Sequence, residues 1–517
     1  MQRTLARWFA VGLLAAGMAA GPAAAQDLAS FEERTTVHTL DNGWTFIVVE
    51  RPVAPVFSFA TYVGVGSAQE VPGITGLAHM FEHMAFKGTP NIGTSDYAAE
   101  TAALERLEQA YQAWQDERLK ARPDAERLAE LEAAFRAAQE AAEQYVVANE
   151  FGDIIDREGG TGLNAFTSAD VTGYFYSLPA NKLELFAYLE SERFLHPVFR
   201  QFYKERDVVQ EERRLRTDSQ PVGRLIEQFL ATAFVAHPYR QPTVGYMSDL
   251  QSFTLTDAEE FFDTHYAPSN MVTVVVGDVT AEQVIPVVER YFGRIPARPA
   301  PPALRTVEPP QIAEKTVALP DPAQPFYLEG YHRPAVTHPD DAVYDAIDDI
   351  LAGGRTSRLY RRLVRDEKIA IAAASFSGFP GSKHPNLWMA YAVPARGVDN
   401  ETVQTAIREE IERLKTEPVT DEELTRFKTR AKANLIRGLR SNQGLANQLA
   451  SYQMIHGDWR ELFRNIDRIE KVTKEDITRV ARETFLPTNR TVGMIETATA
   501  EADTSNETGG AAAPGRS

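Results

Sequence analysis

The stretch Gly76-Leu77-Ala78-His79-Met80-Phe81-Glu82-His83-Met84-Ala85-Phe86 limits this chain more than any other. Two histidines four residues apart share a face only if the backbone is helical, and their imidazoles can then hold one metal ion with a carboxylate beside it. Leu77, Phe81, Met84 and Ala85 supply an apolar underside for that helix, and Gly73 with Thr75 reads as its turn and cap. A catalytic zinc needs neutral imidazoles and an open position where bound water reaches a pKa of about 7. Glu82 stands where a base would take that water's proton and pass it to a leaving amine. The H-x-x-E-H order is itself a peptidase signature.

The ends of the chain point to its compartment. Met1 to Arg7 is basic, Trp8 to about Ala20 is apolar, and Ala23-Ala24-Ala25 closes an Ala-x-Ala site. Residues 1–25 therefore read as a secretory signal peptide cut after Ala25, and loss of Arg3 and Arg7 takes the formal charge from -18 to -20. The apolar run is too short for a membrane span, and no later stretch approaches the necessary length. There is no cysteine, which excludes disulfides, thiolate ligands, a cysteine nucleophile and a lipid-bearing cysteine. The expectation is a soluble protein of a Gram-negative periplasm, and the acidic balance argues against a nucleic-acid partner. With 517 residues and 44% hydrophobic content, the chain can build at least two cored domains.

In order, Val37 to Val49 reads as two strands around Asn42-Gly43, with His38 an ordinary strand residue, and a third strand at 56–63 leads to the motif helix. Residues 97–150 turn to Ala, Glu, Gln and Leu. Leu104, Leu107, Tyr111 and Trp114, then Leu128, Leu131, Phe135, Ala138, Ala142 and Tyr145, give two apolar seams broken by Arg122-Pro123-Asp124. This is a helical hairpin with arms of about 30 Å, serving as structure, docking arm or lid. Short strands follow at 159–167 and 171–176, then helices at 182–194 and 202–215. A zinc held by two histidines needs a third protein ligand. The 202–215 helix is the best supplier, with Glu205 and Glu212 two turns apart on one face, although spacing leaves Glu205, Glu211 and Glu212 all open. A helix near 257–264, a buried strand at 271–276 and a helix at 280–292 close an N-terminal domain, 26–296. A proline-rich exposed linker spans 297–312. The same element types then recur over 313–497: strands near 326–331, 369–376, 387–391 and 491–495, and helices at 341–351, up to Arg365, at 402–414 and at 421–440. The tail, 498–517, has a disordered composition. The fold class is α/β: two tandem homologous domains, each an antiparallel or mixed sheet with helices packed on it, plus the inserted hairpin.

These residues resemble the pitrilysin or insulinase family of inverted-motif zinc peptidases over nearly all of 35–497. Besides His79-Met80-Phe81-Glu82-His83, the resemblance lies in Asn164-Ala165-Phe166-Thr167-Ser168, in Glu205-Arg206-Asp207-Val208-Val209-Gln210-Glu211-Glu212, and in His237-Pro238-Tyr239 through Pro242 and Gly245. It implies that His79, His83 and Glu212 bind one zinc, that Glu82 activates water, and that Glu205 is an accessory acid. It also implies that Asn164, Ala165 and Phe166 form an edge strand pairing with a peptide or unfolded-protein substrate, and that two such halves close as a clam shell.

Two departures stand out. His83 and Glu212 are 129 positions apart, far more than in that family, and the hairpin accounts for the surplus. Related assemblies also carry an Arg and a Tyr seven apart in the noncatalytic half or partner, where they hold the substrate carbonyl, but the matching positions here are Val364 and Ile371. The resemblance therefore implies a catalytic subunit whose missing pair comes from a homologous noncatalytic partner. A noncatalytic scaffold or a self-sufficient homodimeric peptidase are the alternatives.

Overall fold

The computed structural model describes residues 28–498. The expected leader at 1–25 lies outside the described residues, as does the expected tail beyond Ala498, whose amide donates to the Asp321 carbonyl.

Six strands make the first sheet: β1 (Thr35–Thr39), β2 (Thr45–Glu50), β3 (Val56–Val63), β4 (Thr161–Thr167), β5 (Thr172–Pro179) and β6 (Met271–Gly277), in the order β1-β2-β6-β3-β5-β4. Every residue of β6 is buried, as a strand covered on both faces requires, and its text Met-Val-Thr-Val-Val-Val-Gly is correspondingly apolar. Five strands make the second: β7 (Lys315–Asp321), β8 (Phe326–Arg333), β9 (Ala370–Phe379), β10 (Asn386–Pro394) and β11 (Arg490–Thr497), in the order β7-β11-β8-β10-β9. With β1 set aside, the two orders match strand for strand. Even the single parallel pair recurs, β2 with β6 and β7 with β11, while the other neighbours run antiparallel. Each sheet is mixed.

Each sheet has one face under helices of its own half and the other under a helix lent by the opposite half. Helix Pro221–Ala233 packs Leu225, Phe229 and Leu230 with Leu328, Met389 and Ile495 of the second sheet. Helix Asn442–His456 packs Leu445, Ala446 and Leu449 with Ile47, Ala60 and Val274 of the first. The Phe229 ring seats where β8 and β11 each have a glycine: a Cβ at Gly330 would lie 2.9 Å from it and one at Gly493 3.1 Å. The halves are also tied at Asp170, which accepts from the Tyr239 hydroxyl and from the amides of Ser382 and Lys383.

The structure departs from the sequence expectations in several places. Strand β7 and helices Asn442–His456, Glu461–Lys471 and Lys474–Thr484 were not foreseen. β7 is an edge strand with Pro320 in it, which weakens its pattern, and the lent helix mixes Asn, Gln and Gly with its apolar residues. The helix expected to run to Arg365 is π-wound from Tyr360 to Asp366, with the Glu367 amide reaching back to the Arg362 carbonyl. The segment between Phe292 and Lys315 has no regular structure and is mostly exposed, yet it is pinned where Glu308 accepts from the amides of Val235, Ala236 and His237. His38 meets Glu289 at 3.1 Å, a partner far away in sequence.

The expected hairpin forms from Tyr97–Arg118 and Ala125–Glu143, capped by Asp96 and Asp124 accepting from the amides of Ala99 and Arg127. It lies along the helix that carries Glu205 and Glu212.

If the lent helix locks the halves together, Phe229→Ala should cost about 3–5 kcal/mol, since its glycine-lined slot cannot collapse. Urea unfolding of the full chain measures this, and a loss below about 1 kcal/mol would speak against the exchange as a main stabilising feature.

Candidate metal centre

The motif helix spans Leu77–Met84 and presents His79 and His83 on one face while Leu77, Met80 and Phe81 enter the core. Thr75 is not its cap. Gly76 turns the chain in with φ 99°, a left-handed conformation at which a side chain would also meet the Val244 carbonyl. The amides of Gly76 and Ala78 donate to Glu70 at 2.8 and 2.7 Å, while the Thr75 hydroxyl donates to Asp249 at 2.7 Å. A buried carboxyl thus caps the helix from six positions before its N-cap, satisfying orphan amides. Burial pushes the Glu70 carboxyl up to about 8, against the pull of the two amides. The capping-box spacing looked for in a sequence does not reach that far, so Glu70 escaped notice.

Helix Phe202–Arg213 brings the second half of the cluster. His79 Nε2 lies 3.6 Å from Glu212 Oε1, and His83 Nε2 lies 3.4 Å from Glu212 Oε2. One donor atom from each of the three residues falls within 4.8 Å of the others. These separations from Glu212 are those of ion pairs. They match the edge of a tetrahedron around an ion with bonds of about 2.0–2.2 Å, which is about 3.4 Å. Two imidazoles and one carboxylate make the donor set of a hydrolytic zinc, so the residues present fit that ion. Of the three glutamates the spacing left open, Glu211 is turned outward to Arg214, Glu212 meets both histidines, and Glu205 stands 3.4 Å from His83 Nδ1.

Protonation follows the surroundings. Burial lowers His79 to about 4, against the raising effect of Glu212, so its imidazole is neutral and ready to ligate. Burial acts downward on His83 as well, but the bond to Glu205 and the charges of Glu212, Glu205 and Glu82 outweigh it, and the net shift is upward. Glu205 would rise through burial, yet bonds from His83 and Lys87 hold it below the ordinary range. Glu82 is raised by burial, with the Thr167 hydroxyl opposing. Arg216 pairs with Glu212 from the next turn, in a stretch that is π-wound from Arg214 to Asp218.

Residues Asn164, Ala165 and Phe166 lie on β4, the last strand of the first sheet, whose pairing is with β5 alone. Ala165 packs into the core on the motif-helix side, whereas the Phe166 ring meets Tyr62 edge to face and Phe175 at a tilt on the opposite face. Beside Glu82 and His83 opens a cavity of about 310 Å³, whose far wall is Val147 and its neighbours from the chain returning out of the hairpin. Val364 sits in the π-wound segment, and Ile371 is 62% exposed on the edge strand β9.

The raised His83 has a consequence for stability. The folded, metal-free protein holds this proton more tightly than the unfolded chain, so the ion pair contributes fully below pH 6.5 and fades as pH rises through the folded value. The stability difference between the parent and His83→Gln, measured in chelator, should therefore shrink from pH 6 to pH 8. A difference that stays flat or grows would contradict the assignment.

Known proteins resemble this chain in sequence and in fold. The family described as insulinase (peptidase family M16) matches residues 45–116, stopping inside the hairpin, and the M16 inactive domain matches 252–431. The chain is 31% identical over 442 residues to zinc protease PqqE of Helicobacter pylori, covering 84% of this chain and 86% of that one. The crystal structure of a protease from Helicobacter pylori superposes with a TM-score of 0.74 at 28% identity, covering 89% of this chain and 99% of its own. The first half of the periplasmic protease PqqL from Escherichia coli gives 0.66 at 17%, covering 90% and 92%. The second sheet carries no counterpart of the histidine motif, in keeping with an inactive-domain match there, and the chain as a whole belongs to the insulinase family, M16, of zinc peptidases.

Proposed function

We propose that this protein is a zinc endopeptidase of the periplasm that cuts peptides or unfolded chains, working as the catalytic subunit beside a homologous noncatalytic partner. The observation that carries the reading is the convergence of His79, His83 and Glu212 at ion-ligating distances, with Glu82 on the same helix. A scaffold subunit would need none of these side chains to meet. Among the described residues no helix is long and apolar enough to cross a membrane, and the leader-like first 25 residues together with the periplasmic PqqL likeness favour that compartment.

His79, His83 and Glu212 would hold the zinc, which when bound supplies Lewis-acid polarisation of a carbonyl and an acidified water. Glu82 is the residue that moves protons. A carboxylate raised by burial is a better base than an ordinary one, and once protonated it can hand the proton to the departing amine. Glu205 holds His83 through Nδ1, which fixes that ring's orientation and leaves Nε2 facing Glu212. The outer edge of β4 offers unpaired backbone groups beside the motif helix, so a substrate can add as a strand along Asn164, Ala165 and Phe166. With Val364 and Ile371 unable to donate to a carbonyl oxygen, the partner is the source of that contact.

Glu82→Gln tests the reading on purified full-length protein with zinc and an unstructured fluorogenic peptide, with and without a homologue carrying the Arg and Tyr pair. The expected result is close to one zinc per chain with cleavage reduced by about 10²–10⁴-fold. Parent-like cleavage by the variant would overturn the assignment of Glu82. Equal activity of the parent alone and in the mixture would remove the partner and leave a self-sufficient enzyme.

A further inference from the structure

The helix Phe202–Arg213 presents Glu205 and Glu212 to the motif helix with one face only. At about 100° per residue, Tyr203 lies about 160° around the axis from Glu205, on the back of the helix. There the hairpin takes hold of it. The Tyr203 ring lies 4.1 Å from that of Tyr111, its hydroxyl donates to Glu108, and the Arg206 guanidinium lies 4.7 Å from the Tyr111 ring and 4.8 Å from the Tyr203 ring while donating to the Tyr111 hydroxyl. Tyr111 is itself fully buried and reaches on to the Gln251 carbonyl at 3.3 Å, so it cannot swing aside.

A second tie lies at the root of the hairpin. Glu100 accepts from Arg200 Nε at 2.5 Å and from Nη2 at 2.8 Å, and neither residue is more than 1% exposed. The same guanidinium donates to the carbonyls of Lys87 and Ile92. Lys87 in turn pairs with Glu205. The inserted arm thus reaches both sides of the cluster, through the helix and through the chain that follows the motif.

The mechanical stake is large for a small rotation. A carboxylate about 6 Å from a helix axis moves about 1 Å when the helix rolls by about 10°. Metal–ligand distances tolerate only about 0.2 Å, and a misplacement of about 1 Å costs on the order of 10²-fold in rate. We propose that the inserted hairpin is a clamp that fixes the rotation of the helix carrying Glu205 and Glu212, with Tyr111 as its positioning residue acting through Tyr203 and Arg206. The inference rests on the zinc reading of the cluster. It also gives the insertion a role inside one subunit, with no docking partner needed.

The test uses full-length protein, with Tyr111→Leu to remove the ring and Tyr111→Phe to remove only the hydroxyl. Zinc affinity is read by competition with a chromophoric chelator, hydrogen exchange of residues 202–213 is read without zinc, and kcat and KM are read on a fluorogenic peptide. Tyr111→Leu should weaken zinc binding about 10–100-fold, lower kcat by a similar factor with KM within about twofold, and speed exchange across 202–213. Zinc affinity within about twofold of the parent would overturn the clamp, even if the melting temperature fell. Should Tyr111→Leu fail to fold, Tyr111→Phe carries the test at about threefold on the same readouts, and no change in it would overturn the proposal. If the parent itself binds no zinc, the zinc reading has failed, and exchange alone then decides: acceleration confined to 202–213 supports the clamp, and unchanged exchange overturns it.

Discussion

A carboxylate and two imidazoles can leave water together only if their charges are matched, and the candidate centre is arranged around that requirement. Glu212 faces both histidines, Glu205 faces His83 from the other side, and Lys87 and Arg216 each bring a positive charge to one of the two acids. His79 is driven neutral by burial while His83 is held toward its protonated form by the acids around it. A divalent ion in their midst would take over the part that the His83 proton plays in the metal-free protein. On the zinc reading, metal uptake at this site would displace that proton.

The rest of the molecule serves to hold two helices face to face. The motif helix is pinned at its start by Glu70 and rests with Phe81 among Phe199, Phe261, Phe262 and Tyr266. The opposing helix is backed by the hairpin. Beneath both lies the first sheet, whose far face is closed by Asn442–His456 from the other half, while Pro221–Ala233 closes the second sheet in return. Because each half completes the other's core, the two sheets are separate in topology but shared in packing.

Much of this could be read from the chain, and the pattern of what could not is physical. The motif helix, the hairpin arms and the buried β6 announce themselves because periodicity and capping act over a few residues. Glu70, Thr75 and the contacts of Tyr111 were hidden because they are decided by what lies across the fold: Asp249 takes the Thr75 hydroxyl that would otherwise cap, and Arg200 finds Glu100 a hundred residues away. The choice among three glutamates was open from spacing and closed only through resemblance, and the geometry separates them by which way each faces. β7 and the helices after 441 were missed because an edge strand and a helix shared between two halves lack a clean apolar stripe.

The most direct measurement is a crystal structure of the zinc-loaded full-length protein with anomalous diffraction collected at the zinc edge. The account expects one strong peak between His79, His83 and Glu212, with nitrogen and oxygen ligands at about 2.0–2.2 Å and a position left open toward the cleft beside Glu82. A protein that takes up no zinc, or a peak held by other residues while these three remain apart from it, would contradict the account at its centre.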